Sequence, residues 1–481
     1  MSPMYIGLEW QEIMSITDAR SWAAGELGSI AVRDQRVVDR LIWTLAKSAE
    51  HPGRTIPQAC GGSAETKAAY RLMDNDSFSS ESVLAAHRER TIERMPSHDI
   101  VLSIQDTSHV VYDSPPNGGG IGLCSSSEYR KGALMHTALA VTTEGIPLGL
   151  LDQQIWTRAP EETRKNRSQT KRSIEDKEGV KWLECLDRSL EAIPSRVTVV
   201  TVCDREADVY EFIRKALLEE KPILIRAVYS RRVIEEHRAL FALVESSPEA
   251  GKILIGILRD AHKCLPPRQA MLAVKFLQAT LWPTLGKAKM MVEKPVYVVQ
   301  AKEIDPPERA EAVDWLLLTT LPVTSFEDAV EKINWYSRRW RIERFHYVLK
   351  SGCGIEELQF QTLDRLKKAI ALYSLVAWRI LWLNYQARET PEASCAVILE
   401  KHEWHALYCI ANNTPILPET PPTLEEAVRL IGKLGGHLGR KHDGMPGVKT
   451  LRRGMQRLKD ILQALSIICQ VPLLSMDMGN V

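Results

Sequence analysis

Two apolar runs that each end in an aspartate constrain the fold of this chain more than any other feature. Val197-Thr-Val-Val-Thr-Val202 is apolar and β-branched, which is typical of a strand buried on both faces of a sheet. It ends at Cys203-Asp204, and an earlier run, Ile100–Ile104, ends at Gln105-Asp106. Such strands favour an α/β fold, in which chemistry lies at the carboxyl ends of the strands. Taken alone, each aspartate is more simply interpreted as a residue that starts a turn after a strand.

A third acidic residue lies in a segment that predicts one long helix from about Ser325 to Lys350. At about 100° per residue, Tyr336, Arg339, Glu343 and Lys350 fall on one stripe of this helix. The lone carboxylate of this stripe stands among Arg338, Arg339, Arg341 and Arg344. A solvated, ion-paired face would mix acids and bases in similar number. The stripe therefore favours a metal ligand beside a phosphate-binding surface.

The side chains of Asp106, Asp204 and Glu343 are predicted to meet at one site. Two like charges about 4 Å apart cost about 4 kcal/mol at an effective dielectric near 20, so three carboxylates need cations between them. Hard divalent cations with oxygen ligands relieve that repulsion. A pair of such ions can also promote an in-line phosphoryl displacement. Glu206 and Asp208 are further acids nearby, but a role in the first turn of a helix suits them better.

Patterning divides the chain into three parts. Residues 1–90 are predicted to be helical, 91–388 to form the α/β core with an antiparallel β insertion at about 221–321, and 389–481 to be helical again. A β-hairpin is predicted from Leu134 to Ile155, and the glycines at 118–122 predict a loop beside the site.

Charge is balanced overall, with 62 basic and 61 acidic residues, which excludes a polycation but not local DNA-facing patches. Residues 158–172 and 429–459 are such basic segments, although the second could serve subunit pairing instead. The nine cysteines are irregularly spaced without a C-x-x-C pair, which predicts free thiols in a reducing cytoplasm. Neither a signal peptide nor a membrane span is expected.

At these residues the chain resembles the bacterial DDE transposases of the insertion-sequence-four family, most closely the transposon-five type. The family's Tyr-x2-Arg-x3-Glu-x6-Lys signature matches Tyr336, Arg339, Glu343 and Lys350. Its two aspartates match Asp106 and Asp204. The resemblance extends over nearly the whole chain. Its further elements are the hairpin after Gly145, Trp22 with Tyr70-Arg71, Trp315-Leu-Leu-Leu-Thr319 and Leu434-Gly-Gly436.

The resemblance implies an RNase H-like catalytic core (a mixed sheet flanked by helices) interrupted by the β insertion. It further implies cut-and-paste transposition: cleavage at transposon ends, hairpin formation and strand transfer into target DNA. Asp106, Asp204 and Glu343 would bind two Mg²⁺ ions, with Mn²⁺ as a substitute. Residues 1–90 would bind the DNA ends and 389–481 would dimerise.

The resemblance also assigns DNA contacts. Tyr336, Arg339 and Lys350 would hold the DNA backbone, and Arg341 is a further candidate. Trp315 would stack on a base flipped out of the duplex, although three leucines follow it and a core position fits equally well. In residues 1–90, ten basic residues face twelve acidic ones, so the end-binding contacts are left as four candidates: Arg33, Arg36, Arg54 and Arg71.

The expected partners are double-stranded DNA, as terminal repeats and as target, and a second copy of the chain in a synaptic complex. The expected location is the bacterial cytoplasm, at the nucleoid when the protein is bound to DNA. Two alternatives stay open: an inactive transposase-derived inhibitor or repressor that binds DNA, which the three retained carboxylates disfavour, and a nuclease of the same fold that does not join strands.

Overall fold

The structure is a computed structural model, and it describes most of the chain. The described residues are 19–112, 121–125, 130–158, 178–235, 238–257, 268–283, 290–308, 310–358, 360–397, 399, 401–440 and 443–468. Most of the predicted glycine loop at 118–122 and of the basic segment at 158–172 lies outside these residues.

The N-terminal part is helical, as predicted. Its helices are α1 (Ala19–Leu27), α2 (Gln35–Glu50), α3 (Ile56–Cys60), α4 (Ser63–Met73) and α5 (Ser80–Glu93). Helix α2 starts at Asp34, whose carboxylate accepts a hydrogen bond from the Arg36 N–H at 3.0 Å. Leu41 and Leu45, spaced one helical turn apart, are fully buried against the rest of the protein.

A nine-stranded mixed sheet forms the centre of the molecule. Its strands are β1 (Ile100–Tyr112), β2 (Lys131–Thr142), β3 (Pro147–Trp156), β4 (Thr198–Cys203), β5 (Ile223–Arg226), β6 (Gly251–Ile257), β7 (Arg268–Ala279), β8 (Val296–Glu303) and β9 (Asp314–Thr319). Their order across the sheet is β3-β2-β1-β4-β5-β9-β8-β7-β6. Strands β1, β4 and β5 are parallel neighbours, and the other pairs are antiparallel.

This topology confirms the predicted β2–β3 hairpin and the buried position of β4 between β1 and β5. The antiparallel part begins later than the predicted residue 221, because β5 pairs in parallel with β4 and belongs to the core. Strand β9 then pairs with β5, so the inserted strands extend the same sheet.

Helices cover both faces of the sheet and form the C-terminal part. They are α6 (Val180–Leu190), α7 (Tyr210–Leu218), α8 (Leu240–Ser246), α9 (Phe326–Ser337), α10 (Trp340–Tyr347), α11 (Leu363–Glu389), α12 (Lys401–Asn412), α13 (Leu424–Leu434) and α14 (Val448–Ile468). No helix in the described ranges is long and apolar enough to cross a membrane. The seven cysteines within those ranges are free thiols.

The prediction of a single helix from Ser325 to Lys350 is wrong. Helix α9 ends at Ser337 and α10 starts at Trp340, because the N–H groups of Arg338 and Arg339 bond carbonyls three residues back rather than four. After α10 the chain forms a π-helical turn, Val348–Gly352. The uniform 100° wheel therefore does not hold along the whole signature.

A buried polar cluster joins the N-terminal helices to the sheet, and we call Glu26, His87, Arg94 and Trp378 the hinge cluster. The His87 Nδ1 lies 2.5 Å from the Glu26 carboxylate, and its Nε2 accepts the Leu150 N–H at 3.1 Å. Arg94 pairs with the other Glu26 oxygen and lies over the Trp378 ring. Because Nε2 is an acceptor, His87 is neutral here.

Candidate active site at the carboxyl ends of the parallel strands

Strands β1 and β4 place two aspartates side by side. Gln105 of β1 is opposite Cys203 of β4 in the parallel register, so Asp106 and Asp204 are the next residues on adjacent strands. Strand β4 ends at Cys203, whereas β1 does not end at Asp106 as predicted but continues to Tyr112. Both carboxylates therefore lie where the β1–β4 pairing ends, on strands about 4.8 Å apart. Val200, Val202, Leu102 and Ile104 are completely buried and fix this register.

Helix α10 brings the third carboxylate to the same edge. Its Ile342 and Phe345 are fully buried in the same core cluster as Leu102, Ile104 and Val110 of β1, which packs the helix against that strand. His346 Nδ1 lies 3.6 Å from Asp106 Oδ2, so the helix meets β1 at the point where its pairing with β4 ends. Glu343 precedes His346 by three residues and lies on the same side of the helix.

The pKa values of Asp204 and Glu343 are both raised, because the nearby positive charge does not offset burial and like charge. Burial raises the pKa of Asp204, and the charge of Asp106 raises it further. The hydrogen bond from the Glu206 N–H and the charge of Arg339 act in the lowering direction. Burial also raises the pKa of Glu343, where Arg339 acts in the lowering direction and Asp106 again in the raising one. Asp106 thus interacts with both other acids. Burial is the largest cause in both cases, and the neighbouring carboxylate adds to it.

The donor set fits hard divalent cations, because it consists of carboxylate oxygens that repel one another. The side chains are not grouped for binding in this structure: among the described residues, no three His, Cys, Asp or Glu side chains are close enough to hold a metal ion. Glu343 Oε1 is instead 2.8 Å from the Arg339 guanidinium, and Asp204 Oδ1 accepts the Glu206 N–H at 2.8 Å. Rotation of Glu343 away from Arg339 is therefore needed for all three acids to share an ion.

The signature tyrosine packs against the predicted base-stacking tryptophan. Tyr336 is only 3% exposed, and its ring lies edge-on to Trp315 with 5.2 Å between centroids. The Arg339 guanidinium is 6.0 Å from the Tyr336 ring and 4.9 Å from that of Trp340, which is 47% exposed. Trp315 itself is half-buried, which agrees with either of its two predicted roles.

Lys350 and Arg341 lie in different surroundings. Lys350 is in the π-helical turn, and its ammonium is 3.9 Å from Glu356. Arg341 donates to the Gly145 carbonyl at 3.1 Å and to the Tyr385 hydroxyl at 2.9 Å, and these contacts brace α10 against the hairpin turn. DNA binding by either residue stays a prediction.

The four arginines predicted to bind DNA ends in the N-terminal part lie in two kinds of surroundings. Arg33, Arg36 and Arg71 are exposed, although Arg36 pairs with Asp34 at 2.9 Å. Arg54 reaches the C-terminal helix instead and pairs with Asp460 at 2.8 Å.

Three functional candidates were missed in the sequence. Arg226 ends β5 and follows Ile225, the residue opposite Cys203, so it stands beside Asp204. Strand β5 ends in a charged residue at the same edge as the two aspartates, and this signal could have identified it. His346 could have been found from its spacing of three residues from Glu343. Lys181, which lies in the first turn of α6, carries no local signal.

Comparison with known families gives three matches in order along the chain. Residues 19–78 match a family described as transposase DNA-binding, and residues 183–379 match the transposase DDE domain. Residues 375–466 match the transposase Tn5 dimerisation domain. Asp204 and Glu343 fall within the second match, and Arg54 and Asp460 fall within the first and third.

Proposed function

Because the chain is a DDE transposase of the Tn5-like kind, with DNA-binding, catalytic and dimerisation regions, we propose that it moves a DNA element by cut-and-paste transposition. Its core is of the RNase H-like type, and the enzyme is a metal-dependent nuclease and strand transferase. The finer assignment to the insertion-sequence-four family rests on the Tyr336, Arg339, Glu343 and Lys350 spacing.

The observation that supports this proposal is that Asp106 and Asp204 directly follow the last paired residues of β1 and β4, while His346 of α10, the helix that carries Glu343, lies 3.6 Å from Asp106. These three residues would hold the divalent ions, which we propose to be two Mg²⁺ with Mn²⁺ as a substitute. Bound ions would supply activation of the attacking oxygen and charge neutralisation at the phosphate.

The protein's own residues would position the DNA around this edge. Arg339 is released to a DNA phosphate when Glu343 turns away from it, and the Tyr336 ring keeps the guanidinium in place. Lys350 would contact the backbone further along, and Trp315 would stack on a flipped base. Arg341 is kept as a weaker DNA-binding candidate, since Gly145 and Tyr385 already engage its guanidinium.

The order of events follows the family pattern. A first cut at the element's end would free a 3′-OH, which would attack the opposite strand to form a hairpin. The hairpin would reopen and join target DNA. Two copies, paired through the region that matches the dimerisation domain, would hold both terminal repeats in a synaptic complex.

We keep the division into residues 1–90, 91–388 and 389–481 as a proposal, with end binding, catalysis and dimerisation as the respective roles. A bacterial cytoplasmic location, at the nucleoid when the protein is bound to DNA, is part of the same proposal.

The decisive test begins with a selection of bound fragments from random DNA. The selected duplex is then incubated with the full chain and Mg²⁺, and cut, hairpin and joined products are separated. Asp204→Ala should abolish all three products, whereas Asp187→Asn, at an exposed acid of α6, should leave them unchanged. Equal activity of the Asp204 variant and the parent would remove the enzymatic assignment. Binding without any product would favour the inhibitor, and cutting without joining would favour a simple nuclease.

A further inference from the structure

We call the place where the β1–β4 pairing ends, with Asp106 and Asp204, the active edge. A lysine outside the signature reaches it from the other face of the sheet. Lys181 lies in the first turn of α6, and its side chain is only 11% exposed. The ammonium lies 5.7 Å from the centre of the Trp156 ring and 5.6 Å from that of Trp182. The two rings hold the charge in a fixed place while they remove most of its water.

Within the described residues, the ammonium has two ring contacts and one long ion pair. Its ion pair with a described residue, Glu206, is 4.0 Å long, which is beyond hydrogen-bond distance. A desolvated ammonium with unfilled N–H donors costs free energy. A cation in the first turn of a helix also opposes the helix dipole. The helix dipole therefore gives no reason for a lysine at this position, and the two ring contacts are the favourable interactions that hold it there.

The charge is directed toward the carboxylates. Burial lowers the pKa of Lys181, while Glu178, Glu206 and Asp106 act in the opposite direction, so the ammonium lies within electrostatic reach of the active edge. The α6 side of the sheet is the one that carries Thr107 and His136, since the His136 ring packs on Trp182 and bonds Thr107.

Asp106 is the neighbour of Thr107 on β1 and points to the opposite face, toward His346 of α10. Arg339 precedes α10 and serves that second face. The strand ends therefore have one cation on each side: Arg339 from the α10 face and Lys181 from the α6 face. A DNA strand that crosses the edge of the sheet would pass between them.

We propose that Lys181 is a phosphate-binding residue that holds a backbone phosphate of the DNA strand entering the active site. This inference rests on the proposed function, because it takes the strand that is cut as the ligand. The partner is identified by its chemistry: a phosphodiester oxygen supplies the acceptor that the ammonium lacks.

The test measures binding without chemistry. Affinity of the full chain for the selected duplex is measured in EDTA over a range of salt concentrations, for the parent, Lys181→Met and Lys181→Arg. Loss of one phosphate contact should make the slope of log K against log salt less steep by about 0.9 in Lys181→Met. Lys181→Arg, which keeps the charge, should restore the slope. Lys252→Met, at an exposed lysine of β6, serves as the control and should change nothing.

A methylphosphonate scan locates the contact. Each phosphate of the duplex is replaced in turn by its neutral analogue, and affinity is measured for the parent and for Lys181→Met. The parent should lose affinity at a phosphate next to the cut, and the variant should be insensitive at that position alone. An unchanged scan and slope in Lys181→Met, or a loss spread evenly over all phosphates, would overturn the proposal. If Lys181→Met does not fold, Lys181→Gln takes its place under the same two criteria.

These readouts are independent of strand cutting. Failure of the parent to cut DNA with Mg²⁺ would remove the proposed function and leave the binding comparison intact. Normal cutting with an unchanged scan would remove the Lys181 assignment alone.

Discussion

The pKa of the buried carboxylate in the hinge cluster is lowered, whereas the pKa values of two carboxylates at the active edge are raised. Glu26 is 2% exposed, and burial alone would raise its pKa, yet Arg94 and His87 bring it below the ordinary value. Asp204 and Glu343 are less deeply buried, and their pKa values are raised, because Asp106 adds to the effect of burial and Arg339 does not offset it.

The difference separates two uses of a buried charge. In the hinge cluster each oxygen of Glu26 has its own partner, so the protein supplies the whole counter-charge. At the active edge Glu343 pairs with Arg339, and the other two acids interact with it at longer range, which leaves the pKa values of Asp204 and Glu343 raised and favours a bound cation. Incomplete pairing is costly in a purely structural site, and its presence here is a physical mark of ligand binding.

The largest effect should come from the incompletely paired group. Asp204→Ala is expected to lower the cleavage rate roughly ten-thousandfold, or by about 5 kcal/mol in the activation barrier. The same variant should unfold at about the same denaturant concentration as the parent, because removal of a buried charge that Asp106 repels offsets the lost hydrogen bond from the Glu206 N–H. A marked loss of stability in urea would mean that Asp204 is structural and would break the comparison.

Replacement of the fully paired Glu26 should instead lower stability and leave cleavage intact. Glu26→Ala leaves Arg94 and His87 buried without their partner, which is expected to lower the free energy of unfolding by about 3–5 kcal/mol. Urea denaturation of the full chain measures this loss. The folded fraction of the variant should still cut DNA, with activity normalised to folded protein. A stability equal to that of the parent would show that Glu26 is not the centre of this cluster.

Acidification should lower the stability that the hinge cluster contributes, by less than the Glu26 substitution does. Burial lowers the pKa of His87, and that of Glu26 is also lowered in the folded state, so the unfolded chain binds more protons in acid. The His87 contribution is complete above its unfolded pKa of about 6.5 and is lost as the pH falls below it. The Glu26 contribution is lost further down, through its folded pKa below 4.5.

Chemical denaturation at several pH values measures this dependence. His87→Gln, which has no titrating ring, should flatten the upper part of the curve. Because the raised pKa values of Asp204 and Glu343 act in the opposite direction and are shared by both proteins, the comparison is with the variant. A parent protein that loses no more stability on acidification than His87→Gln would contradict a neutral, buried His87.

The smallest effect concerns a paired cation close to the active edge. Tyr385→Phe removes the hydroxyl that accepts from Arg341 and keeps the ring beneath the guanidinium, so a loss of about 1 kcal/mol in stability is expected. DNA affinity should not change if Arg341 only braces α10. A lower affinity with unchanged stability would instead favour the predicted contact between Arg341 and DNA.

The sequence was informative where the determinant is local. The apolar β-branched runs before Asp106 and Asp204 predict buried strands, and their parallel pairing follows the general rule for such runs. The break between α9 and α10 could not be read in this way, because Arg338 and Arg339 are both good helix formers. It coincides with contacts to the distant hairpin turn: Arg338 donates to the Thr143 carbonyl at 3.1 Å.

The pairing of charges was also beyond the sequence. Glu26 meets His87 and Arg94 across separations of 61 and 68 residues. Lys181 meets the active edge only because α6 crosses β3 at Trp156. Nothing in the spacing of these residues distinguishes Glu26, a structural acid, from Asp204.

The fusion of the inserted strands to the core sheet has a mechanical consequence. Trp315 is on β9, which is hydrogen-bonded to β5, and β5 is bonded to the strand that ends at Asp204. If Trp315 stacks on a base, as proposed, a force on that base would be transmitted through the hydrogen bonds between β9 and β5 and between β5 and β4. Adjacent strands are about 4.8 Å apart, so the distance to the reacting phosphate is short. Substitutions in the inserted strands are therefore expected to shift the catalytic strands beside them.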